Sequence, residues 1–178
     1  MSEVGAETIR RAALVTPISD VQIEYSLLSR GPERAIIPAL RELGIGLTAY
    51  GVLSRGLLSG HWRADRNLSA GDFRASSPRF QPENLGRNLE LVESLGRVAA
   101  RLGVTTSQVA IAWVAAQGDD IVPLVGARRR DRLEESLAAA DLHLDDRELA
   151  EIAEAVPDGA AAGERYAPTQ LATLDSER

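Results

Sequence analysis

Ile121-Val122-Pro123-Leu124-Val125-Gly126-Ala127-Arg128-Arg129-Arg130-Asp131-Arg132-Leu133-Glu134-Glu135-Ser136 is the stretch on which the reading of this chain turns. An apolar run of the kind that forms a buried parallel strand ends at a glycine and gives way to an arginine-rich helix start. Such a junction suits an anion. The first turn of a helix presents unpaired N–H groups and the positive end of its dipole, and guanidinium groups offer planar donors that match phosphate geometry. A second reading stays open beside it: four arginines within five positions also describe a solvated helix face, with Glu134 and Glu135 spaced to pair with Arg130 and Arg132.

Working outward, residues 21–27, 45–50 and 121–125 read as strands. Helical patterns cover residues 6–14, 33–43, 84–102, 108–117, 133–140 and 145–155, with Pro38 an irregularity in the second. Gly44 and Gly103 stop two of them, and Thr105-Thr106-Ser107 supplies a cap for a third. Residues 63–81 are polar, weakly periodic and rich in Ser, Pro and Arg, a long loop that suits either a lid or disorder. From Ala160 onward the chain is small and polar and reads as a tail. Strands alternate with helices throughout, which implies a parallel sheet with helices packed on it and therefore an α/β fold.

At 178 residues, with 44% apolar and 26% charged residues, the chain is long enough for one domain with a real core. Its net charge of −6 leaves no excess positive field to displace counterions, which argues against nucleic-acid binding. The absence of cysteine excludes disulfides, thiolate metal sites and a cysteine nucleophile. His61 and His143 are far apart and in no metal-ligand spacing, so no metal site is expected and both read as surface residues. No stretch approaches the ~20 consecutive apolar residues of a membrane span, and the first residues lack a secretion-signal pattern. A soluble, cytoplasmic chain without a membrane partner is the expectation.

Several blocks, in order and spacing, resemble the aldo-keto reductase family. They are Val21-Gln22-Ile23-Glu24-Tyr25-Ser26-Leu27, Glu42-Leu43-Gly44-Ile45-Gly46, Ala49-Tyr50 with Leu53-Ser54-Arg55-Gly56-Leu57-Leu58-Ser59-Gly60, Pro78-Arg79-Phe80 with Glu83-Asn84-Leu85, and Gly126 and Arg128 with Leu133-Glu134-Glu135. The resemblance implies the C-terminal portion of a (β/α)₈ TIM barrel over residues 1–165, its last three strands with their helices, and a flexible tail at 166–178. It implies NADPH as cofactor, bound extended and without a Rossmann fold, and a small carbonyl compound as the substrate of the whole enzyme. By the same resemblance, Gln22 hydrogen-bonds the nicotinamide carboxamide and Tyr50 stacks on the nicotinamide ring. Amide and aromatic chemistry suit those tasks, although an isolated Tyr50 also reads as a core aromatic. Gly51, Leu53, Ser54, Arg55, Gly56 and Leu57 resemble the loop covering the pyrophosphate. Gly126, Ala127, Arg128 and Arg132 resemble the 2′-phosphate pocket, and Glu135 and Ser136 the adenine end, where Ser136 departs from the family's frequent asparagine.

The family's catalytic Asp, Tyr, Lys and His belong to earlier strands, and this chain contains no lysine. No catalytic residue is therefore assigned, and Tyr25, Tyr50 and Tyr166 all fall in other blocks. A (β/α)₈ barrel takes about 250 residues, and three strands cannot close it. Two functional classes follow: the NADPH-binding portion of a carbonyl reductase, or a non-catalytic nucleotide-binding or assembly subunit whose open sheet edges associate with another chain or with a second copy. An unrelated α/β domain with a basic phosphate-binding loop remains only if the block resemblance is coincidence.

Overall fold

The computed structural model describes residues 1–63, 66, 68–69 and 71–177. Three strands, β1 (Asp20–Glu24), β2 (Gly46–Tyr50) and β3 (Ile121–Pro123), form one parallel sheet in sequence order. The register sets Val21 beside Leu47 and Leu47 beside Ile121 in one row, and Gln22 beside Thr48 and Thr48 beside Val122 in the next. Side chains alternate along a strand, so the first row faces one side of the sheet and the second row the other.

Helices cover the first side. α1 (Ala6–Ala13), α2 (Ile36–Leu43), α3 (Pro82–Leu102), α4 (Thr106–Ala115), α5 (Arg130–Leu137) and α6 (Asp146–Ala155) follow the chain, with the short α7 (Pro168–Leu171) near its end. Val21, Ile23, Leu47, Ala49 and Ile121 are buried in a single core with Ile9, Leu40, Leu95, Val109 and Ile152. α4 is apolar all round, as a helix enclosed on several sides must be, and seven of its residues are buried. Its start is fixed by a capping box between Thr105 and Gln108, and Asp145 with Glu148 does the same for α6.

The opposite side is uncovered at β3, where Val122 is 60% and Leu124 46% exposed. This corrects the reading of 121–125 as a buried strand: β3, Ile121–Pro123, is an edge strand with helices on one side only. Other boundaries move for local reasons. β1 ends at Glu24 because residues 26–29 close a tight turn, Ser26 and Ser29 exchanging backbone hydrogen bonds. The expected helix over 33–43 divides into a 3₁₀ turn, Gly31–Arg34, and α2, which places Pro38 in the first turn, where a missing N–H is tolerated. α3 begins at Pro82 for the same reason. The long loop over 63–81, part of which lies outside the described residues, contains two 3₁₀ turns, Phe73–Ser76 and Pro78–Phe80, and Phe80 packs against Trp62 in the core.

Leu47, at 1% exposed on the central strand, meets apolar neighbours from both flanking strands and the helical layer. Leu47→Ala should lower the unfolding free energy by about 2–5 kcal/mol in urea titrations, the range for a large-to-small change in a closed core.

Candidate functional site

The C-terminal ends of all three parallel strands point the same way, so Glu24, Tyr50 and the segment after Pro123 share one end of the sheet. Gln22 and Tyr50 lie on its helix-free side. Gln22 is also paired along its backbone with the first residues of the chain: its N–H donates to the Met1 carbonyl at 2.8 Å, and the Glu3 N–H donates to the Gln22 carbonyl at 3.0 Å. Residues 1–3 thus run parallel to β1 on its outer edge.

Glu24 is the charge around which this end is built. Its side chain is 1% exposed and faces three guanidinium groups, Arg55 at 3.4 Å, Arg165 at 3.5 Å and Arg79 at 3.7 Å, while the Ser29 hydroxyl donates to it at 2.9 Å. Arg79 also donates to the Leu28 carbonyl and the Ser29 hydroxyl. Its own carbonyl accepts from the buried Asn88 of α3, which binds both backbone groups of Ala162. Burial pushes the Arg79 guanidinium down, opposed by the Glu24 charge. Sequence reasoning gave no role to Glu3, Glu24, Arg79, Asn88 or Arg165. A carboxylate among Val21, Ile23 and Tyr25, and an arginine between Pro78 and Phe80, were the available signals.

Gly51 has φ 69° and sits directly over Glu24, where a Cβ would stand 2.9 Å from the Glu24 Cγ. Only glycine meets both conditions at once. Beyond it, Ser54, Arg55 and Gly56 hold positive φ in succession, a conformation that non-glycine residues keep only where their surroundings enforce it. Ser54 is buried with its hydroxyl against that of Ser26. The Ser54 and Gly56 N–H groups bond the Gly51 and Leu53 carbonyls within the loop itself. Leu57 is buried, and Leu53 packs at the margin of the same core. Arg55, expected near a pyrophosphate, bonds Glu24 and lies over the rings of Tyr166 and Phe73.

After β3, Gly126, Ala127 and Arg128 lead into α5, whose N-cap position is Arg129. Arg129 pairs with Asp131 at 2.8 Å and Arg132 with Glu135 at 2.8 Å, while Arg128 and Arg130 have no ion pair among the described residues. Half of the arginine run is therefore neutralised by neighbouring carboxylates, Glu135 among them, while Glu134 has no ion pair among the described residues. Arg132 also contacts His61 Nε2, which ties this segment to the loop after β2. Burial alone would raise the Glu135 carboxyl, but the Arg132 and Thr105 hydrogen bonds outweigh it and hold it below the usual carboxylate range. The Ser136 hydroxyl donates to the Arg132 carbonyl within the helix.

The stretch read as a tail is docked at the same end. Arg165 bonds Glu3 at 2.5 Å, Glu177 at 2.6 Å and the Tyr50 hydroxyl at 3.4 Å. The Tyr166 and Tyr50 hydroxyls are 3.2 Å apart, Ser176 donates to Glu3, and the Asp175 carboxylate accepts from the Gly5 N–H at the start of α1. Burial, the Tyr166 hydrogen bond and the nearby Glu3 charge push the Tyr50 phenol up. Beside this segment opens a cleft of about 1020 Å³ lined by Gly5, Glu24, Arg79, Arg165 and Ser176 among others; Tyr50 is not one of its lining residues.

A model of the aldo/keto reductase family matches residues 1–157. The chain belongs to the aldo/keto reductase family. It is 42% identical over 171 residues to the aldo-keto reductase yakc, designated NADP(+), of Schizosaccharomyces pombe, covering 94% of this chain and 50% of that protein. It is 41% identical over 166 residues to a Glycine max protein named probable aldo-keto reductase 1, covering 93% and 48%. Among solved structures, the glycerol dehydrogenase AKR11B4 from Gluconobacter oxydans superposes with a TM-score of 0.80 at 27% identity, over 88% of this chain and 49% of that one. A thermostable aldo-keto reductase in complex with epalrestat shares the fold at a TM-score of 0.64 and 22% identity, over 86% and 46%. The chain thus spans about half the length of each of these four proteins. Among its described residues no single helix is long and apolar enough to cross a membrane.

Burial alone would also raise the Glu3 carboxyl, but hydrogen bonds from Arg165, Ser176 and the Glu24 N–H outweigh it and hold it below its unfolded value of 4.5. Glu3 therefore stabilises the docked segment fully above about pH 4.5 and loses that contribution as pH falls through its lower native value. Hydrogen-exchange protection of residues 165–177, corrected for intrinsic rates, should decline below about pH 4.5, and Glu3→Gln should flatten the decline.

Proposed function

We propose that this chain is the NADPH-binding C-terminal portion of an aldo-keto reductase, an enzyme reducing aldehydes or ketones to alcohols, and that the catalytic Asp, Tyr, Lys and His lie on polypeptide outside it. The observation that carries this reading is that Tyr50, the loop that follows it and the segment leading from β3 into α5 all leave the C-terminal end of one parallel sheet, the end at which barrel enzymes place their sites. The sheet would be the last three strands of a (β/α)₈ barrel. Residues 1–3, parallel to β1 on its outer edge, fit the end of a preceding strand.

The residues present fit an extended dinucleotide. Arg128 and Arg130 are cations without an ion pair among the described residues at the start of α5, which suits a phosphate. In this reading Gly126, Ala127, Arg128 and Arg132 hold the 2′-phosphate, with Glu135 and Ser136 beside the adenine. Gly51, Leu53, Ser54, Arg55, Gly56 and Leu57 form the wall along the pyrophosphate. Gln22 offers its amide to the carboxamide, and Tyr50 offers its ring to the nicotinamide. NADPH, when bound, supplies the hydride; this chain orients it and shields it from water.

The exposed Val122 and Leu124 on the helix-free side of β3, and Leu133 and Leu137 of α5, exposed at 46% and 62%, favour a second reading as an assembly subunit that covers such apolar groups with another chain.

Fluorescence titration separates the readings at the nucleotide. NADPH should bind more tightly than NADH, and Arg128→Ala should weaken NADPH roughly tenfold or more while leaving NADH unchanged. Equal affinities that ignore the substitution would remove the 2′-phosphate assignment. The chain alone should not reduce a simple aldehyde, and mixing with the N-terminal half of the Schizosaccharomyces pombe relative should produce turnover. A discrete homo-oligomer that binds nucleotide but gains no activity from that half would favour the assembly subunit.

A further inference from the structure

We infer that residues 165–177 form an autoinhibitory strap, knotted at Arg165, that keeps the C-terminal ends of β1 and β2 closed. The strap reaches the sheet from one side of the 1020 Å³ cleft, and Arg165 is its anchor: the guanidinium joins Glu3, Glu24, Glu177 and the Ser176 and Tyr50 hydroxyls. The next residue, Tyr166, places its hydroxyl against that of Tyr50 and its ring over Arg55, with Phe73 edge-on beside it. The Glu3 and Glu24 carboxylates and the Tyr50 hydroxyl are thereby engaged by the chain itself. Asp175, at the Gly5 N–H, fills the start of α1 with a carboxylate of the strap's own.

The fastening is ionic and few-pointed rather than a packed interface. α7 contributes no buried residue, and Tyr166 is only partly buried, so little apolar area holds the strap down. An element held by Arg165 with its carboxylates, the Tyr166–Tyr50 contact and the Asp175–Gly5 bond, with little apolar burial, meets the physical requirement of a gate that fastens and releases. Identification of the displaced ligand as the nicotinamide end of NADPH rests on the function proposed above; the closure over Tyr50 does not.

The three tyrosines give a direct readout through nitration by tetranitromethane, followed residue by residue by mass spectrometry. Tyr25, 1% exposed in the core, reports that the fold is intact. In the unaltered chain Tyr50 should be protected. In Arg165→Gln and in Tyr166→Ala it should react at least tenfold faster while Tyr25 stays protected, and NADPH should bind more tightly than to the unaltered chain. If Arg165→Gln exposes Tyr25 as well, Tyr166→Ala, which removes a ring and leaves the ion pairs, decides the matter. Tyr50 reacting equally in all forms overturns the strap. Tyr50 released but NADPH bound with unchanged affinity overturns the gate and leaves the nucleotide site standing. Tyr50 released with no nucleotide bound by any form supports the closure and removes the nucleotide reading instead.

Discussion

A carboxylate with almost no access to water, Glu24, is the constraint on which this end of the molecule depends. An isolated charge at such a site is prohibitively costly, and it persists only because Arg55, Arg79, Arg165 and Ser29 surround it. Each partner comes from a different part of the chain: the loop after β2, the segment before α3, the strap, and the turn after β1. Removing one arginine weakens that compensation, and where a buried pair loses its partner outright the cost is typically about 3–5 kcal/mol. The cluster therefore fixes the mutual position of four irregular segments that have no sheet hydrogen bonds to hold them.

The two sides of the sheet are built on different principles. The helical side is a close-packed apolar layer in which Val21, Leu47 and Ile121 line up across the three strands. The other side carries polar and charged groups at β1 and β2, then turns apolar and open at β3. In the partial-barrel reading proposed above, this side would face the interior of a (β/α)₈ barrel.

What the sequence disclosed, and what it withheld, divides by range. Thr105 caps the helix that follows it within three residues, and glycine at 44 and 103 acts on its own helix, so that cap and those stops were readable directly. The strands were readable as apolar runs, but whether a run is buried on one face or two depends on what lies across it, and β3 was misjudged on that account. The ion pairs that organise the site join Arg165 to Glu24 and Glu3 across 141 and 162 residues. No local pattern encodes such a pairing. The terminal segment looked like a tail because its composition is small and polar, while the two side chains that dock it, Arg165 and Tyr166, are unremarkable until Glu24 and Tyr50 are set before them.

Charge at the strand ends is distributed unevenly, and the unevenness has a direction. Arg55, Arg79 and Arg165 are committed to Glu24, and Arg129 and Arg132 to Asp131 and Glu135. Arg128 and Arg130, at the opening of α5, stand without such partners among the described residues. A guanidinium already paired must break one charge-assisted hydrogen bond to form another, so it gains little from a new anion; an unpaired one gives up only its hydrogen bonds to water. The β1 end of the site is thus electrostatically satisfied and the α5 end is not, in a chain whose net charge of −6 makes any local excess of positive charge stand out. A ligand anionic at one end and planar at the other would be drawn anion-first to α5, leaving its flat end to compete with Tyr166 for Tyr50. Orientation would then follow from where the arginines have already found carboxylates, rather than from any one contact to the ligand.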